Sequence, residues 1–181
     1  MQRFAILLPV LLALMLFMPR AAFAEMPDIS AGQTYFDIRT GCYILKGNVR
    51  VAQGGRVITA REARAQLMTK EVWAEGDVTL VQDGMTLRCD SVYVRGAEDT
   101  AEVKGNVRFE QEKAISVTAD NGTYQWDTKI ADFYGNVTFR KEGGDENHCN
   151  HLQYQVVEEK ILAVDSPEAP ASAADDSASN A

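Results

Sequence analysis

The chain carries little with which to do covalent chemistry. Its 181 residues include two histidines, His148 and His151, and three cysteines, Cys42, Cys89 and Cys149. No G-x-x-x-x-G-K-[ST] phosphate loop, G-x-S-x-G elbow or H-E-x-x-H zinc motif occurs. The one dense run of donors, His148-Cys149-Asn150-His151, would place His148 and Cys149 on opposite faces of a strand, where they cannot gather a tetrahedral metal set. Catalytic residues, a metal and a cofactor are therefore not expected. Basic charge is also scarce, with 18 Lys and Arg against 26 Asp and Glu, a net charge of −8. Nucleic acid and anionic membrane surfaces are held mainly through Lys and Arg at phosphates, so this balance argues against both as partners.

Long apolar runs are missing but for one. Arg3 precedes the stretch Phe4 to Met18, and small residues follow at Ala22-Phe23-Ala24. The run is shorter than the roughly 20 residues of a bilayer crossing, and residues 1–24 are expected to be a cleaved export signal. Without them sixteen Lys and Arg face twenty-six Asp and Glu, a charge of 16 − 26 = −10. Residues 166–181, SPEAPASAADDSASNA, have no apolar periodicity and are expected to be a disordered acidic tail. Between them, residues 25–165 form one domain.

What that domain has is a phrase repeated four times: Gly47-Asn48-Val49-Arg50-Val51, Gly76-Asp77-Val78-Thr79-Leu80, Gly105-Asn106-Val107-Arg108-Phe109 and Gly135-Asn136-Val137-Thr138-Phe139. The glycines fall 29, 29 and 30 residues apart, a fixed period that marks a stacked repeat. After each glycine apolar and polar residues alternate, as in a half-buried strand. Turn signals follow at Gly54-Gly55, Asp83-Gly84, Gln111-Glu112-Lys113 and Gly143-Gly144, and the chain returns with Ile58, Leu87 and Val117 facing inward.

Within the returning strand the apolar parity slips by one, from Cys89 to Val92 and Val94 and from Ala119 to Gly122 and Tyr124. Such a slip bends the strand across a crease while one face stays inward. A second turn, near Thr69-Lys70, Glu98-Asp99, Asp127-Thr128 and Glu158-Glu159, sends a short strand back to the next glycine, inward at Ala131 and Phe133 and, in the last copy, at Leu162 and Val164. The pattern predicts an all-β fold: two facing antiparallel sheets joined along a crease, an open folded β-jellyroll (a β-taco) of about four repeats of 29–30 residues. A parallel β-helix would suit the period but not the Gly-Gly and Asp-Gly hairpins.

Residues that recur once per repeat answer a need of the repeat. Asp90 and Asp120, and Asn48, Asp77, Asn106 and Asn136, are expected to serve the backbone at the bends rather than as acid–base pairs. Cys89 and Cys149 fall at equivalent places at least two rungs apart, beyond the roughly 7 Å that a disulfide spans, so no intrachain disulfide is expected. Arg50 and Arg108 point outward on a solvated face.

The recurring Gly-Asn/Asp-Val phrase, with Thr118-Ala119-Asp120 and its echo Arg88-Cys89-Asp90, resembles the LptA/OstA-like family of periplasmic lipopolysaccharide-transport proteins. Arg61 and Asn150 stand where that pattern has Asp, and the third hairpin lacks a glycine. The resemblance implies a periplasmic β-jellyroll that shelters lipid A acyl chains and joins end to end, as a head-to-tail homo-oligomer, between an inner-membrane-anchored LptC-like protein and an outer-membrane LptD-like translocon. Parity nominates Val51, Ile58, Leu80, Leu87, Phe109, Val117, Tyr124, Phe133 and Phe139 for acyl contact. Two other readings share the fold: a closed-core assembly module without lipid cargo, and an LptC-like anchored partner if the N-terminal segment is retained.

Overall fold

The computed structural model describes residues 28–165 apart from 54, 67 and 83; the expected signal and tail lie outside the described residues. The chain forms β1 (Asp28–Ser30), β2 (Gln33–Asp37), β3 (Cys42–Gln53), β4 (Arg56–Gln66), β5 (Glu71–Gln82), β6 (Met85–Arg95), β7 (Thr100–Gln111), β8 (Ile115–Gln125), β9 (Ile130–Lys141), β10 (Glu146–Gln155) and β11 (Lys160–Asp165). From β3 to β11 each strand pairs antiparallel with the next. β1 and β2 share the outer edge of β3, against Arg50–Ala52 and Cys42–Lys46 respectively.

The repeated phrase is the bend itself. Gly47 and Asn48 have φ of 75° and 49°, Gly105 and Asn106 of 76° and 48°, and the other two copies match them. Two successive left-handed residues suit glycine followed by Asn or Asp, the side chains least penalised there. They put a bulge in the strand, and the pairing register shifts at that point: between Lys46 and Val49, Glu75 and Val78, and Lys104 and Val107. The even strands shift opposite, between Thr59 and Glu62, Arg88 and Ser91, and Thr118 and Asn121. The bulges line up into one crease across the stack.

The two expected sheets are therefore two leaves of one continuous sheet. Each repeat is a pair of long bent strands, 12 and 11 residues in β5 and β6, rather than four short ones, because the hydrogen-bonded ladder resumes on both sides of the bulge. The front leaf runs from the crease to the turns marked by Gly55 and Gly84 and to those at 112–114 and 142–145. The back leaf runs to the turns at 38–41, 68–70, 96–99, 126–129 and 156–159. Turns stack on turns: Gly96 N–H donates to Lys70 O, and Trp126 N–H to Asp99 O, at 2.9 and 3.0 Å. The third hairpin, which lacks glycine, places Lys113 in the left-handed region at φ 58°.

The last strand departs from the expected parity. A register shift between Gln153 and Tyr154 sets Ile161 opposite Tyr154 and Val164 opposite Leu152. Ile161 packs on the core, whereas Leu162 and Val164, both expected inward, are exposed: the shift turns Leu162 outward, and Val164, although opposite Leu152, lies on the last strand with no further strand to cover it among the described residues. The core lies between the leaves and is apolar throughout the described residues, with no buried charged or polar side chain.

Candidate functional site

Cross-strand register assembles most of the nominated residues into one line. On the front leaf Val51 pairs with Ile58, Ile58 with Leu80, Leu80 with Leu87, Leu87 with Phe109, Phe109 with Val117 and Val117 with Phe139. Tyr124 and Phe133 stand on the back leaf, opposite Ala131 and Gly122 respectively. The leaves meet where Phe109 reaches Phe133, ring centroids 5.7 Å apart. The result is an apolar trough with the crease as its floor, where Val49, Val78, Val107 and Val137 are each no more than 3% exposed.

The trough is not uniform. Val51, Ile58, Leu80, Leu87 and Tyr124 are half-buried. Phe109, Val117, Phe133 and Phe139 are buried, at 7%, 1%, 3% and 8% exposure. Three residues not nominated from the sequence seal that second half: Leu152, Tyr154 and Val156, at 0%, 1% and 7%. The signal for two of them was present, since the parity slip after Cys89 and Ala119 recurs after Cys149 and turns Leu152 and Tyr154 inward.

The lip of the trough is polar. Arg56 Nε donates to Gln82 Oε1 at 2.7 Å along the front leaf. Gln111, which the sequence shows only as part of a turn, spans the two leaves: it accepts from the Tyr154 hydroxyl at 2.9 Å and donates to the Val156 carbonyl at 3.2 Å. Burial, and then the Glu159 carboxylate, push the Tyr154 phenol up to about 12. Burial raises the Tyr124 phenol as well, partly opposed by Arg56.

The other candidates take structural positions. Cys42, Cys89 and Cys149 are free and buried. Burial, and then Asp90, lift the Cys89 thiol to about 11, which keeps it protonated and unreactive at neutral pH. His148 meets the Thr138 hydroxyl at 3.0 Å, while His151 stacks on Tyr134 with centroids 4.6 Å apart and meets Asp132 Oδ1 at 2.8 Å. Both histidines follow outward parity, on the face away from Cys149. Arg50 pairs with Asp28 at 3.1 Å, and Arg108 stands exposed opposite Arg88. A hollow of about 440 Å³ between the front-leaf turns is lined mainly by polar and charged residues, among them Glu110, Lys113, Arg140 and Glu142.

Comparison with known proteins fits this geometry. The model of the family described as LptA/(LptD N-terminal domain) LPS transport protein matches residues 57–160, more than half of the chain. The chain belongs to this family. It is a family of lipopolysaccharide transport proteins, not of enzymes. Twenty-two solved chains match in structure. One is LptH from Pseudomonas aeruginosa, the LptA homologous periplasmic component of the conserved lipopolysaccharide transport device, 13% identical over 61% of this chain and 83% of its own, with a TM-score of 0.54. That likeness shows the fold. No curated protein sequence matches.

The departures from the family pattern at the crease compensate each other. Asn106 Nδ2 donates to Asp90 Oδ2 at 2.8 Å, and Asn136 Nδ2 to Asp120 Oδ2 at 2.7 Å, so these aspartates bond a side chain across the crease, where a backbone contact was expected. In the rung where Arg61 replaces Asp, Asp77 replaces Asn, and Arg61 Nη2 donates to Asp77 Oδ2 at 2.7 Å. The pair keeps its hydrogen bond with the polarity reversed.

Proposed function

We propose that this member of the LptA/LptD N-terminal family is a periplasmic lipopolysaccharide carrier, exported by residues 1–24, that shelters lipid A acyl chains between its leaves. The observation that carries the reading is the unbroken inner row from Val51 to Phe139, apolar at every strand and half-open over β3 to β6. An alkyl chain laid there would gain about 0.8 kcal/mol per CH₂ buried, comparable to a bilayer interior, so exchange with a membrane is near neutral. With no phosphate loop in the sequence, any driving energy comes from a partner.

End-to-end assembly suits the two sheet ends. The first edge offers β1 and β2, one on each leaf. At the other, β11 covers only His151–Gln155 of β10, so that Glu146–Cys149 of the front leaf, paired with β9 on one side, have no strand along their outer edge within the described residues. Such edges template strand addition by a second copy, by an LptC-like protein at the inner membrane or by an LptD-like translocon at the outer one.

The closed-core assembly module without cargo keeps one observation in its favour, the sealed half around Leu152 and Tyr154. Native mass spectrometry of the full chain with lipopolysaccharide, against a phospholipid control, separates the two. A saturable lipopolysaccharide adduct lost in a folded Leu80→Asp variant supports the carrier; no adduct under conditions that keep the fold supports the module.

A further inference from the structure

Gln111 ends β7 with the inward parity of Val107 and Phe109, at the lip of the front leaf. Its side chain crosses the mouth and makes three bonds to the back leaf: from the Tyr154 hydroxyl at 2.9 Å, to the Val156 carbonyl at 3.2 Å and to Glu159 Oε1 at 3.3 Å. Beneath it Phe109 packs at 5.7 Å from Phe133 and 6.1 Å from Tyr154. A polar tie thus closes over three apolar rings, from the first strand of the buried part on the front leaf to its last strand on the back leaf.

Resting on the lipid-carrying reading, we propose that Gln111 and Tyr154 form a gate dividing the trough into two compartments. Acyl chains enter the β3–β6 half freely and pass into the β7–β10 half only when the tie releases and the Tyr154 ring turns aside. The two layers of the gate suit an amphipathic cargo. Bonds at the lip exchange readily for water, whereas the rings yield only to something equally apolar, and an alkyl chain can take their place without exposing Phe109 or Phe133. The gate also sets an order of filling, because the open compartment must be occupied before a chain can reach the rings from the trough.

The test uses the full-length protein and palmitic acid bearing a diazirine, with labelled residues mapped by tandem mass spectrometry and lipopolysaccharide as competitor. In the native sequence label falls on Val51, Ile58, Leu80 and Leu87. Tyr154→Phe, which keeps the ring and removes the donor, raises the share on Phe109 and Phe133 by about fivefold, the population shift expected for one ordinary hydrogen bond. Gln111→Leu does the same by a second route, and circular dichroism verifies that both fold. Equal labelling of the two halves in the native protein, or no shift in either folded variant, overturns the gate alone. No competable label anywhere overturns the lipid reading and the gate with it.

Discussion

The two halves of the trough share one backbone and differ in side-chain size. On the back leaf of β4 and β5 the inward residues are Ala63, Ala65, Val72 and Ala74, and the front-leaf row facing the same space is half-exposed. On β9 and β10 the corresponding positions hold Ala131, Phe133, Leu152 and Tyr154, and the row is buried. The bulges, turns and pairing are the same in both. A repeat backbone therefore builds the trough, and a few methylenes per rung decide whether it is a groove or a core.

Truncation should break the comparison most visibly. Leu152→Ala, in the closed half, is expected to cost about 3–5 kcal/mol, since it opens a void that its packed neighbours cannot fill. Leu80→Ala, in the open half, should cost about 1 kcal/mol, because little burial is lost. Urea midpoints measure both, and equal losses would erase the distinction between the halves.

The crease gives a second contrast. A Cβ at Gly105 would clash with the Asp90 carboxylate, while one at Gly47 meets nothing closer than 3.9 Å. Both glycines have positive φ. Gly105→Ala should therefore cost about 2–3 kcal/mol, left-handed strain plus the loss of the Asp90–Asn106 bond, and Gly47→Ala about 1–2 kcal/mol from strain alone.

Alkali sharpens the comparison differently. Burial, and then Glu159, push the Tyr154 phenol up to about 12 in the folded chain against 10.0 for a free one. A raised folded value favours folding fully below pH 10, and that contribution is lost as pH rises through 12. The closed half should loosen across that window, seen as faster hydrogen exchange in β10, and Tyr154→Phe should remove this sensitivity.

Filling the open half is expected to act in the opposite sense to truncation. Ala63→Leu should add about 1 kcal/mol of stability and lower the lipopolysaccharide adduct in native mass spectrometry. The smallest effect belongs to the reversed clasp. Arg61→Asp together with Asp77→Asn, which restores the pair of the other rungs, should leave thermal stability within about 0.5 kcal/mol, since both positions are exposed. Arg61→Asp alone sets two carboxylates together and should lower it measurably.

Much of the trough's inner row is legible in the sequence. Period-two alternation put Val51, Leu80 and Phe109 on one face, and the register joins them in one row. Leu152 and Tyr154 were passed over because the fourth copy opens with Asn147 where the others have Ile58, Leu87 and Val117, and this polar start hid the inward parity beyond the bulge. Leu162 was misplaced by one position, since nothing local marks the shift between Gln153 and Tyr154 that turns Ile161 inward.

Sequence by itself determined the repeat, the all-β class, the crease and the inward face, because each depends on a local rule: left-handed tolerance at Gly-Asn, and alternation along a strand. The tertiary structure decided that the leaves belong to one sheet, that half of the trough is closed and that Gln111 ties its lips. Those features depend on which residues of one leaf meet which of the other, and that pairing follows from the bend of every strand at once, which no single repeat encodes.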